Sequence, residues 1–305
     1  SAPYVEMTLE MLGNFGVRAT LTLNPEHDGI GARLQIPGGQ HYRPAMLDVE
    51  GDWSQAAFWL LAGALGHRME LEGLRADSLQ GDRAILPLLR RMGAPIRQEG
   101  QMLCFGDEAK PLCIGEEEKP VCMSEEEKTL CLGEVAASMR HGASTTLQAI
   151  DMDVSQCPDL VPALAIAAAH ANGTSRIGNA ARLRFKESDR ISTVREMLEA
   201  FGVSVTEEPD GLVITGRPSG FTGGFVDGHN DHRIVMAAAI AGTRAATGPI
   251  SEGKTAAVDI SYMEAVQKSY PDFWADYQAA GGILFSDTAT QTHHNACVAE
   301  SEEKR

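Results

Sequence analysis

Between Thr174 and Gly216 the chain reads TSRIGNAARLRFKESDRISTVREMLEAFGVSVTEEPDGLVITG. The stretch opens on a strand-like run, TSRIGN. From Lys186 to Gly202 the apolar residues return at helical spacing, so KESDRISTVREMLEAFG reads as an amphipathic helix closed by glycine. VSVTEEPDGLVITG then reads as a hairpin that turns at Asp210-Gly211. Upstream, TLQAIDMD (146–153) reads as a strand, and PDLVPALAIAAAHANG (158–173) as a helix with proline near its start and glycine at its end. The full cycle is strand, helix, strand, helix, hairpin, which is a βαβαββ unit.

The same cycle recurs on both sides. YVEMTLEMLGNFGV (4–17) has helical spacing and stops at Gly16, and RATLTLNP, RLQIPGG and YRPAMLDVEGD (42–52) read as strands. DWSQAAFWLLAGALG (52–66) is a buried helix with Asp52 as its cap and Gly66 at its end. A strand RMELEGL, a helix DRAILPLLRRMG and a hairpin PIRQEG/QMLCFG follow. Downstream, GGFVDGHNDHRIVMAAAIAGTRA (223–245) runs from strand into helix, and SYPDFWADYQAAGG (269–282) closes the pattern. A unit used repeatedly, with no GxGxxG, sets the chain apart from a Rossmann fold.

One segment breaks the cycle. MLCFGDEAK, PLCIGEEEK, PVCMSEEEK and TLCLGEVAA are nine-residue copies spanning 102–137. Their cysteines, Cys104, Cys113, Cys122 and Cys131, recur every nine residues with acidic turns between, which matches no zinc spacing. The expected structure is a duplicated strand-and-turn insert. Residues 286–305 are polar and read as a frayed tail.

The 305 residues carry a net charge of −16, which argues against nucleic acid and anionic membrane as partners. No apolar run approaches the length of a membrane span. Six cysteines without a CxxC pair point to a reduced, cytoplasmic setting. Against this acidity, RLRFKESDRIS (182–192) gathers four cations, Arg182, Arg184, Lys186 and Arg190, beside Glu187 and Asp189. Lys186 and Arg190 are four apart and so share a helix face, while Arg182 and Arg184 point one way if the incoming segment is extended. They can line a phosphate or carboxylate pocket at a helix start, or they can pair with Glu187 and Asp189 on a solvated surface. DGHNDHRIVMAAAIAG (227–242) sets His232 and Arg233 at the start of a very apolar helix, with Asn230 or Asp231 as cap. IDMDVSQCPDLVPALAIAAA (150–169) sets Asp159 at the first turn of another, as a helix-start acid or a general base.

These sites share a design: a charged cluster at a helix start followed by an apolar run. LRFKESDRI, NDHRIVMAAAIA, EGDWSQAAFWLLAGAL, AIDMDVSQCPD and KSYPDFW resemble the successive motifs of the 5-enolpyruvylshikimate-3-phosphate synthase family. The resemblance covers roughly residues 1–280 outside the 102–137 insert. It implies an α/β, inside-out barrel of repeated βαβαββ units, helices inside and sheets outside. It also implies transfer of the enolpyruvyl group of phosphoenolpyruvate to the 5-hydroxyl of shikimate 3-phosphate, releasing phosphate, without organic cofactor or obligatory metal. By motif match, Arg190, Arg233 and Lys268 hold the carboxylate and phosphate of phosphoenolpyruvate. Lys186, with Ser1 and Tyr4, contacts shikimate 3-phosphate. Asp159 is the general base on the attacking hydroxyl, and Glu187 sits at the methylene carbon. His232 and Asp52 take supporting places, and Arg182 stands where some members carry asparagine.

The family also has a large N-terminal part with further substrate-binding residues that find no match here. The expectation is therefore a fragment, inactive alone, in which residues 1–50 finish a first domain and 51–285 make most of the second. A monomer is expected for the complete form. The rival readings are the sister enzyme that uses UDP-N-acetylglucosamine as acceptor, and a non-catalytic anion-binding fragment.

Overall fold

The computed structural model describes residues 2–23, 32–100, 102–105, 130–132, 135–137, 140–141, 146–245 and 258–284. Ser1, the repeat cysteines Cys113 and Cys122, and the 286–305 tail lie outside the described residues.

The first fifty residues give helix α1 (Ala2–Asn14) and an antiparallel pair, β1 (Thr20–Leu23) and β2 (Ala32–Gln35). No side chain of α1 is buried. The strand expected over 42–52 is not formed. Pro44 cannot donate to a ladder, and Met46 is 101% exposed, so the apolar residues that suggested a strand have no sheet to enter. The end of this stretch is tied down outside any sheet, by Gly51 N to Gly73 O at 2.9 Å, Gln80 Nε2 to Gly51 O at 3.0 Å and Ser78 Oγ to Glu50 Oε1 at 2.8 Å.

Next come α2 (Trp53–Ala64), β3 (His67–Leu71), α3 (Ile85–Arg91), β4 (Ile96–Glu99) and β5 (Met102–Phe105). Strands β4 and β5 form the expected hairpin, turning at Gly100 with φ 62°. Within the insert, β6 (Leu130–Leu132) and β7 (Val135–Ala137) pair with each other; beyond it, β8 (Arg140–His141) lies antiparallel to β3. The copies that begin and end the repeat place Leu103-Cys104 and Leu130-Cys131 in strands; the two copies between them lie outside the described residues.

The stretch that opened the reading is the most regular. Strand β9 (Asp151–Asp153) leads to α4 (Val161–His170), then β10 (Thr174–Gly178), α5 (Arg190–Ala200), β11 (Ser204–Glu208) and β12 (Gly211–Thr215). The sheet order is β11-β12-β10-β9, with β9 and β10 parallel and the hairpin antiparallel. Strand β9 is shorter than expected, because Gln148 makes only one isolated bridge, to Asn172. Gly211 is required by close approach rather than by its φ: a Cβ there would fall 2.0 Å from Ile177 O, inside the β10–β12 ladder. Gly211→Ala is expected to cost about 3 kcal/mol in urea unfolding, and a loss within error would remove that account.

The third cycle holds β13 (Gly224–Val226), α6 (His232–Gly242), the parallel β14 (Val258–Ile260) and α7 (Phe273–Ala279). Helices α2, α4 and α6 pack against one another in the middle of the molecule. Every residue of α4 is buried, as are nearly all of α2 and α6. A helix apolar all round must be interior, so the sheets are left to the outside.

At the end of α4, His170 is 1% exposed and sits edge-on to Phe221. Burial, aided by Arg244, lowers its pKa from 6.5 to about 4. The unfolded chain then binds this proton first, so the contribution of His170 to stability is intact above pH 6.5 and lost as pH falls toward 4. Linkage puts the loss at about 3 kcal/mol. His170→Phe is expected to show a shallower fall in stability than the wild type between pH 6.5 and 4; parallel curves would contradict this.

Candidate anion site at the helix starts

Four helix starts frame the site, and the local sequence fixes each. Asp52 caps α2 by accepting from Ser54 N at 2.7 Å. Asp231 caps α6 by accepting from Arg233 N at 3.0 Å. Asp189 caps α5 by accepting from Ile191 N and Ser192 N. Asp159 lies in the 3-10 turn Pro158–Leu160 that leads into α4. Carboxylates suit such positions because the first N–H groups of a helix lack partners inside it.

The cap at Asp189 changes one expectation. Helix α5 begins at Arg190, and Lys186 is extended (φ −94°, ψ −160°). Lys186 and Arg190 therefore do not share a helix face. They meet instead on one acceptor, Asp159. The segment before them is also not extended: Ala181–Phe185 is a 3-10 turn, so Arg182 and Arg184 diverge. Arg184 pairs with Asp189 and Glu207, each at 2.9 Å, on the surface, which is the solvated-face outcome for this one cation. Arg182 donates to Ser155 O, between β9 and the Pro158 turn.

Arg190 is the centre of the cluster and is 1% exposed. Its Nε and Nη2 donate to the two oxygens of Asp231 at 2.7 and 3.1 Å, and Nη2 also donates to Glu187 at 2.6 Å. Its Nη1 donates to Asp159 at 2.8 Å. Lys186 Nζ stands 3.0 Å from the same Asp159 oxygen. Arg233 Nη1 donates to Asp159 O at 3.0 Å and stands 3.6 Å from Asp82 Oδ2. Lys268 donates to Asn230 O, one residue before the α6 cap. Its segment is braced by Gln55 Nε2, which donates from α2 to Ser269 O at 2.8 Å.

The titrations follow from these contacts. Burial alone raises the Asp159 carboxyl, but Arg233, Lys186 and Arg190 outweigh it and hold Asp159 below the usual carboxylate range. Asp231, fully buried, is pushed up by burial and brought down further by its bonds from Arg190. Asp82 goes the other way: burial raises it and Arg233 and Ser54 only partly offset that. Tyr4 is raised to about 12 by burial and by the charges of Asp82 and Asp159, which places its phenol beside the cluster. His232 is lowered by burial and by Arg233, which favours its neutral form, and its Nδ1 is buried without a hydrogen-bond partner among the described residues.

Three cations, Arg190, Arg233 and Lys186, are thus held on four carboxylates, Asp159, Asp231, Glu187 and Asp82. An entering anion must compete with these carboxylates, and it gains most from Arg190 and Arg233, whose planar forks present several N–H groups at once. Sequence reasoning named Asp231 only as a cap and did not single out Asp82 at all. The signal for Asp231 was its place beside His232 and Arg233; Asp82 looked like any helix-start acid. Among the described residues no group of three or more His, Cys, Asp or Glu is placed to hold a metal ion.

The profile of the family EPSP synthase (3-phosphoshikimate 1-carboxyvinyltransferase) matches residues 1–277. The 3-phosphoshikimate 1-carboxyvinyltransferase of Clostridium kluyveri is 39% identical over 285 residues, which is 93% of this chain and 54% of that protein. Its counterpart in Halobacterium salinarum is 35% identical over 280 residues, 90% of this chain and 53% of that one. In structure, EPSP synthase from Acinetobacter baumannii matches with a TM-score of 0.61 at 26% identity, over 89% of this chain and 53% of that chain. The enolpyruvyl transferase NikO from Streptomyces tendae matches with a TM-score of 0.62 at 17% identity, over 94% and 55%, a likeness of fold. The repeated units and buried helices are therefore those of the α/β enolpyruvyl transferase fold. The chain spans about half the length of the curated relatives it matches. By the profile match over nearly its whole length and these relatives, the chain belongs to the EPSP synthase family.

Proposed function

We propose that this chain serves the transfer of the enolpyruvyl group of phosphoenolpyruvate to the 5-hydroxyl of shikimate 3-phosphate, with release of phosphate, on the route to aromatic amino acids. Family membership supports the reaction. The observation that carries the reading is the convergence of Arg190, Arg233 and Lys186 on Asp159 at the starts of buried helices. Arg190, Arg233 and Lys268 take the carboxylate and phosphate of phosphoenolpyruvate, and Lys186, Tyr4 and Ser1 take shikimate 3-phosphate. Arg182 and His232 border the bound substrates. Asp159 removes the proton from the attacking hydroxyl. Glu187 serves the methylene carbon; its side chain, 42% exposed, is the most open of the four carboxylates, which suits proton exchange there. Addition to the enol carbon gives a tetrahedral intermediate, and elimination expels phosphate against the fixed cations. No step of this scheme calls for a metal or an organic cofactor.

The division at residue 50 is also proposed, with 1–50 finishing one domain and 51–285 forming the other. The unburied α1 and the isolated β1–β2 pair support it. No helix among the described residues is long and apolar enough to cross a membrane, and a cytoplasmic, monomeric protein fits the reading.

Phosphate release from phosphoenolpyruvate tests the proposal, with shikimate 3-phosphate and UDP-N-acetylglucosamine offered as separate acceptors. The expected result is release with shikimate 3-phosphate only, in a chain lengthened to span its relatives, and anion binding without turnover in the 305 residues. Release with UDP-N-acetylglucosamine, or none with either acceptor in the lengthened chain, would overturn it.

A further inference from the structure

Asp82 is a buried carboxylate that the reaction scheme does not use. Its side chain is 2% exposed, and the residue is the second of the 3-10 turn Gly81–Ala84. The loop is fixed: Gln80 Nε2 donates to Gly51 O at 3.0 Å, and Trp53 N donates to Gln80 Oε1 at 2.8 Å. Asp82 Oδ2 accepts from Ser54 Oγ at 2.7 Å and faces Arg233 Nη1 at 3.6 Å. Arg233 is the cation that pairs with Asp82 among the described residues. The other titratable groups facing it are acids or weak acids: Asp52 beside α2, Asp159 and Cys157 before α4, and Tyr4 from α1. The pair is long for a salt bridge and monodentate, so it is easily broken by an anion with two oxygens.

We propose that Asp82 is a positioning residue that holds Arg233 while the site is empty, and that when a dianion draws Arg233 away Asp82 takes a proton from solvent, so that anion binding is coupled to proton uptake. The inference rests on the reading of Arg233 as an anion-binding residue. A buried carboxylate that loses its cation is left with burial and the neighbouring acids, all of which favour its neutral form. Protonated, it keeps a hydrogen bond to Ser54 and no longer pulls on the guanidinium. The proton balance is simple: one proton enters from solvent per anion bound and leaves when Arg233 returns.

Sulfate tests this, since it exchanges no proton near neutrality. Its dissociation constant for the 305-residue chain is measured from pH 7.5 to 5.0 in the wild type, Asp82→Asn and His232→Gln. The wild type and His232→Gln are expected to bind more tightly as pH falls, with a slope approaching about tenfold per unit. Asp82→Asn is expected to lose most of that slope and to bind at least about threefold more tightly than the wild type at pH 7.5, because nothing competes for Arg233. A slope retained in Asp82→Asn, or one lost in His232→Gln, overturns the inference and leaves the anion site standing. No sulfate binding in any variant at any pH overturns the reading of the site and this inference with it. Should Asp82→Asn fail to fold, the carboxyl carbon shift of Asp82 in the wild type at pH 6 decides: it must move toward the protonated value on adding sulfate, and no movement overturns the proposal.

Discussion

Arg190→Met is expected to destabilise the chain by about 3–5 kcal/mol at pH 7.5 and to weaken anion binding at least tenfold. The magnitude follows from what remains after the guanidinium is removed. Asp231 is fully buried and would lose both of its bonds from Arg190; Asp159 and Glu187 would each lose one. Removing one partner of a buried pair costs far more than the pair contributes, because the other charge stays behind. The pH dependence gives the mechanism a signature. In the wild type Arg190 holds Asp231 below its ordinary range, so its stabilising contribution is present above the unfolded carboxylate pKa and fades as pH falls through the depressed folded one. In the variant burial, the largest influence, is opposed only by the bonds from Arg233 N and Ser188 Oγ, so the folded form is expected to hold the proton more tightly than the unfolded chain and stability to gain as pH falls. The gap between wild type and variant should therefore shrink between pH 7.5 and 4. Arg190→Met with Asp231→Asn should recover part of the loss, since the stranded charge is gone. Urea unfolding at several pH values checks all three statements. A variant within about 0.5 kcal/mol of the wild type at pH 7.5 would mean that Arg190 is not the keystone of the cluster.

Much of the fold is legible in the sequence. Period and punctuation were enough for the existence of α4, α5 and the β11–β12 hairpin, because each has a local signal: a proline at the start and a glycine past the end, an amphipathic stripe, an Asp-Gly turn. The strand expected at 42–52 failed because a strand is defined by a neighbour, and sequence spacing cannot supply one. In composition the charge-rich 182–192 run left an anion pocket and a solvated face both open, and it did not give the geometry. Its cations reach Asp159 through a 3-10 turn and a cap at Asp189, and a one-turn error in the helix start was enough to put Lys186 on the wrong kind of backbone. Asp82 was out of reach altogether. It is separated from Arg233 by 151 positions, and only the packing of α2 against α6 brings their elements together. Buried acids of this kind carry no local pattern, because their partners are chosen by the fold.

Asp159→Asn should lower kcat about 10²–10⁴-fold wherever the wild type turns over, while phosphoenolpyruvate binding weakens little or tightens. As it stands, Asp159 is a weak base: Arg233, Lys186 and Arg190 hold it ionised in spite of its burial. A carboxylate so stabilised has little driving force to accept a proton from a hydroxyl. In the proposed scheme the same three cations receive the anionic substrates. As phosphoenolpyruvate and shikimate 3-phosphate take them, Asp159 loses its compensating charges, keeps its burial and gains proton affinity. On that proposal the substrates raise the basicity of the group that is to act on them. The acid limb of kcat, which reports the bound enzyme, should accordingly lie at higher pH than the acid limb of kcat/KM, which reports the free one. Coincident limbs would sink this coupling. Asparagine cannot take the proton at any pH, yet it leaves Arg190 and Lys186 with one competitor fewer, so the split between lost kcat and preserved binding separates a base from a structural acid. A variant that loses binding and kcat together would return Asp159 to the status of a helix-start carboxylate that does no more than hold Arg190 in place.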